Sequence, residues 1–145
     1  MKRLFIAVLS LGIFASAAAD EGKQNPLDQF REQTNYHLLM CRLKERLAIN
    51  TSQLGEESNP VAEIGACIRD AKSQAKRYFP AALKVASKQP AAGKLLKDYY
   101  ASWLTSLNGV MPSPTERKID YERRQDDADA KHDAIWNRLE VELGH

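Results

Sequence analysis

Two cysteines constrain this chain more than any other pair of its residues. Cys41 and Cys67 each stand 13 residues from Leu54, inside a stretch (50–59) rich in Asn, Ser, Thr and Gly. On both sides of that stretch apolar residues recur at helical spacing. In an antiparallel helix pair, residues equidistant from the turn face one another, so the two sulfurs are placed to meet. Closing such a loop stabilises a fold by about 3.5 kcal/mol in the loop-entropy treatment. A redox-active pair would have C-x-x-C spacing, which is absent here. The expectation is a structural Cys41–Cys67 bridge that staples a helical hairpin.

Such a bridge requires an oxidising compartment, and the N-terminus reads as the address for one. Lys2 and Arg3 precede a short apolar run, Leu4 to Phe14, and then Ala17-Ala18-Ala19. That is the pattern of a secretory signal with its cleavage site. The run is shorter than the roughly 20 apolar residues a membrane-spanning helix needs. No cysteine follows the cleavage site to carry a lipid anchor. Residues 1–19 are therefore read as a signal peptide cleaved after about Ala19, with no stable membrane insertion of the product. The periplasm of a two-membrane cell is the expected location, because it retains an unanchored protein.

Residues 20–25 read as a disordered lead-in and residues 26–145 as one helical domain. Pro26 suits the first turn of a helix running to about Ile49. Its apolar residues fall on two nearly opposite faces. Leu27, Phe30, Thr34, Leu38 and Cys41 share one; Tyr36, Leu39, Met40, Leu43 and Leu47 share the other. A central place in a bundle, buried on both sides, is the expected reading, and a second binding surface is the alternative.

Asn59-Pro60 is a cap and first-turn pair for the second helix. That helix carries one stripe: Val61, Ile64, Ile68, Ala71, Ala75, Phe79, Ala82 and Ala86. Pro80 keeps the phase, which predicts a kink and not a break. Pro90 opens a third helix that stops near Asn108-Gly109. Ser113 and Glu116, with Pro114 between them, predict a capping box opening a last helix to about Leu143. Four helices with short connections and no alternating strand pattern give an all-α, antiparallel four-helix bundle.

Without Lys2 and Arg3 the chain carries 19 basic and 19 acidic side chains, so the mature protein is neutral. It lacks the dense basic field that phosphate neutralisation demands, which argues against nucleic acid as a partner. The sequence contains no G-x-S-x-G, H-E-x-x-H or P-loop. Asp126-Asp127 are adjacent and point apart on a helix, so no carboxylate pair is set up. Neither catalysis nor a cofactor is expected.

Two features remain for binding. The third helix is more apolar than one packing seam requires: Leu95, Leu96, Tyr99, Tyr100, Trp103, Leu104 and Leu107. The last helix is more polar than a seam allows, with Gln125 and His132 between Tyr121, Ala128, Ile135 and Leu139. Tyr99 and Trp103 are assigned to the core. A surface of Tyr100, Val110 and Met111 with Tyr121 and Gln125 is the expected contact site for another envelope protein. The expected role is an exported protein-binding protein of undetermined oligomeric state. The alternatives are an inhibitor or immunity protein against an envelope-acting toxin or hydrolase, and a metal or small-ligand carrier with a cavity lined by His132, Gln125 and the aromatics. A metal site is not expected, because His132, Asp129 and Asp133 lack the spacing of one.

Overall fold

A computed structural model describes residues 24–54 and 59–144; the signal-peptide reading and residues 20–23 and 55–58 lie outside them. Four helices follow in order: α1 Pro26–Gln53, α2 Pro60–Ala86, α3 Pro90–Asn108 and α4 Lys118–Leu143. They form an all-α bundle in which α1 packs on α2, α2 on α3, and α3 on α4.

The first hairpin is stapled as expected, by a Cys41–Cys67 disulfide with the two Cα atoms 5.7 Å apart. Asn25 precedes α1 as its cap. Its carbonyl accepts from Gln29 N at 3.0 Å and its side chain from Leu27 N at 3.1 Å. The side-chain bond satisfies one of the donors that a helix start leaves open, and the carbonyl accepts the first intrahelical bond. At its other end α1 runs a turn further than Ile49, and the Thr51 hydroxyl donates to the Leu47 carbonyl within it.

α2 begins where Asn59 caps Ala62 N at 3.1 Å. It passes through Pro80 as one helix, with the proline exposed on the solvent side. Its inner face is narrow: Ala71, Ala75, Ala82 and Ala86 are wholly buried. These small side chains admit the large ones opposite. Phe30 of α1 and Leu96, Tyr99, Trp103 and Leu107 of α3 are also buried. Val61, placed on this stripe by its spacing, is exposed, and the buried stripe begins at Ile64.

The start of α4 differs from the capping-box expectation. Ser113 and Glu116 do exchange bonds, Ser113 N to the Glu116 carboxylate at 3.2 Å and Glu116 N to the Ser113 carbonyl at 2.9 Å. Residues 114 and 115 nevertheless form a turn, and the helix starts at Lys118. Arg124 is the reason: its guanidinium takes both Glu116 oxygens, at 2.9 and 2.8 Å, holding that residue off the helix axis. α4 ends at Gly144, whose φ of 83° is the left-handed stop glycine adopts readily.

α1 and α4 are joined by charge. Arg42 grips Asp129 through two bonds of 2.7 and 2.8 Å. Arg31 pairs with Glu140 at 3.1 Å while its guanidinium lies over the Trp136 ring, 4.8 Å from the centroid. α1 is thus tied on one flank to α2 by sulfur and on the other to α4 by ion pairs.

Candidate functional site

The residues expected to form a contact surface divide into two places. Val110, Tyr121 and Gln125 meet at the corner between α3 and α4, with Met111 beside them. The Tyr121 hydroxyl donates to the Val110 carbonyl at 2.6 Å, and Gln125 Nε2 donates to the Gly109 carbonyl at 3.0 Å. Arg124 donates to that same carbonyl at 2.7 Å, and a Cβ on Gly109 would stand 2.5 Å from its Nη1. A side chain at position 109 would displace the Arg124 guanidinium from this carbonyl. These bonds satisfy carbonyls that the end of α3 leaves open. Val110 is fully buried and Tyr121 and Gln125 nearly so.

Tyr100 stands elsewhere, roughly 15 Å along α3 from Val110 at 1.5 Å per residue. It is half-buried among rings, 4.6 Å from Phe79, 5.6 Å from Phe30 and 5.9 Å from Trp103. The five residues therefore do not present a common exposed face. Gln125 and His132 account for this. Within the chain, His132 is partnered by the Ser106 hydroxyl at 3.2 Å and Gln125 Nε2 by the Gly109 carbonyl, while Gln125 Oε1 is buried without a partner.

His132 is packed rather than placed at a hollow. Its ring lies 5.9 Å from that of Tyr99, and burial pushes its pKa below the ordinary imidazole value. No group of three or more His, Cys, Asp or Glu side chains able to hold a metal ion occurs among the described residues. None of the helices in that set is long and apolar enough to cross a membrane.

A cleft of about 500 Å³ opens between the second half of α1 and the start of α4, lined by Glu45, Arg46, Ile49, Asn50, Tyr121 and Glu122 among others. Its most unusual group is Glu45, buried although ionisable, with Oε2 enclosed and unpartnered. Burial raises the Glu45 pKa. Burial together with the Glu45 charge pushes the neighbouring Tyr121 up to about 12. Because that oxygen is shut from solvent, it offers nothing to a molecule in the cleft.

The surface that is open lies on α1. Central packing on both faces is not what the structure shows. Leu27, Phe30, Thr34, Leu38 and Cys41 are buried, whereas Tyr36 (54 % exposed), Leu39 (55 %), Leu43 (41 %) and Leu47 (65 %) face outward. α1 sits at the edge of the bundle, with only its inner half covered. Leu54, at 79 %, continues the outer row past the helix end. The exposed apolar area is on the order of 500 Å², at the upper end of what a monomer carries as one patch. The two-faced pattern of α1 was visible in the sequence, but which face lacked a neighbour depended on the packing of α2 and α4.

The chain matches no family model, and neither a curated protein nor a solved structure is significantly similar to it.

Proposed function

We propose that this chain is a small exported protein-binding protein that acts by surface contact and without catalysis, through the outward face of α1. The observation that carries this reading is the row of Tyr36, Leu39, Leu43 and Leu47, exposed on a helix whose opposite face is fully packed. Large apolar side chains held at fixed positions in water mark an interaction site. Export to the periplasm, with cleavage after about Ala19, is supported by the signal-like N-terminus. A structural disulfide also fits an oxidising compartment.

The test pairs folding with capture. Leu43→Asp with Leu47→Asp changes only side chains on the outer row, so circular dichroism and thermal unfolding should match the parent. Capture from an envelope extract should lose the partner that the parent retains. Equal capture of that partner by a normally folded double variant would remove α1 from the interaction.

A further inference from the structure

We infer that the occupant of α1's outward face is a second copy of this chain, seated as a parallel, in-register helix pair. The inference rests on the reading of that face as a docking surface and adds the identity of its partner. It starts from spacing. Tyr36, Met40, Leu43, Leu47, Asn50 and Leu54 are separated by four, three, four, three and four residues. That alternation is the seam of a two-helix coiled coil, in which one helix supplies the knobs for another. From Tyr36 to Asn50, about 21 Å at 1.5 Å per residue, the row stays on one side of the helix. The buried face, with Phe30, Thr34, Leu38 and Cys41, lies on the opposite side of the helix.

The identity of the partner comes from Asn50 and from the charges beside the seam. Asn50 is the one polar residue in the row, and it is exposed. A carboxamide carries both donors and acceptors, so its best partner in an apolar seam is another carboxamide at the same level. A parallel, in-register pair places Asn50 against its own copy; a shifted or reversed pair places it against an apolar side chain. Facing its own copy, Asn50 keeps a hydrogen-bonding partner at the seam.

The flanking positions agree. In a parallel pair, residues five apart meet across the seam, bringing Glu32 to His37, Leu39 to Lys44, and Arg46 to Thr51 of the second copy. No like charges face each other. An antiparallel pair centred on the row would set Lys44 against Lys44 and Arg46 against Arg46, while Asn50 would face Met40. The seam and its flanks together would bury about 1,000 Å², the lower edge of a specific interface. An interface of that size fits a pair that separates on dilution.

Sedimentation equilibrium of the purified chain from about 1 to 100 µM tests this directly. The mass should rise from one copy towards two over that range, and Leu47→Ser, at an exposed position, should leave it at one copy with the fold retained. Mild oxidation of Asn50→Cys should join two copies, while Arg46→Cys should not. A single-copy mass at every concentration overturns the proposal, and so does linkage through Arg46→Cys in place of Asn50→Cys. The docking reading has its own outcome. A chain that stays single, yet loses another protein's capture on Leu43→Asp with Leu47→Asp, keeps the face and loses only the second copy as occupant.

Discussion

Replacing Trp103 by alanine should destabilise the bundle more than any other single truncation in α3. The side chain is completely buried, its ring stacks on Tyr100 with centroids 5.9 Å apart, and Nε1 donates to the Thr34 carbonyl at 2.8 Å. Truncating a buried Trp costs about 3–5 kcal/mol from lost transfer and the cavity left behind. The lost hydrogen bond adds little, because the Thr34 carbonyl lies within α1 and keeps its helical donor. Domains of this size have a total stability on the order of 5–15 kcal/mol, so the variant gives up a large share of it. Its midpoint should fall by roughly 12–20 °C, at about 4 °C per kcal/mol for a domain of ~120 residues. Urea unfolding followed by far-ultraviolet circular dichroism measures the loss, with Trp103→Phe as control. That control keeps most of the ring and should lose only about 1–2 kcal/mol. A Trp103→Ala loss below about 1 kcal/mol, at an unchanged dependence on urea, would refute this account of how α1 and α3 are joined.

Two titratable groups give predictions of opposite sign. His132 is held neutral by burial, so its folded pKa lies below the unfolded value of 6.5; its contribution is complete above that value and is lost as pH falls below it. His132→Gln should flatten the decline in stability between about pH 6.5 and 5, where the ordinary carboxylates are still ionised. Glu45 has its pKa raised by burial, so it favours the folded state at acid pH and works against it as pH rises through the folded value. Glu45→Gln should therefore raise stability at pH 8 by roughly 1 kcal/mol, since a buried, partly unpartnered charge is removed; a loss there would show that the carboxylate has a partner worth keeping.

The fold was legible because its signals are local and mutually consistent. Prolines at positions 26, 60 and 90 open three of the four helices. The alanine stripe of α2 announced a close-packed face, and the equal distances of Cys41 and Cys67 from Leu54 set the register of the first hairpin. The start of α4 was misplaced because Glu116 has two uses. Its spacing from Ser113 suits a cap, but Arg124, eight residues on, competes for the carboxylate. Several residues of the expected contact site are buried for a related reason. Gln125 and His132 look like defects in a seam when only apolar partners are considered. Their actual partners are a backbone carbonyl at the end of α3 and a serine hydroxyl, and neither is visible as a pattern in sequence.

The outer face of α1 gains its significance from what is fixed behind it. Binding costs free energy when a surface must be ordered first. Here the ordering is done in folding. Cys41 is bridged to α2 within the span of the exposed row, and Arg42, the next residue, is clamped to Asp129 of α4. Arg31 holds the earlier part of the helix to Glu140. All three ties leave from the inner half of α1, so none occupies the face that carries Tyr36, Leu43 and Leu47. A helix with two apolar faces would ordinarily be driven to the centre of a bundle, where both are covered. These ties hold it at the edge instead, so that one face serves the chain's own core and the other stays available, rigid and unhidden.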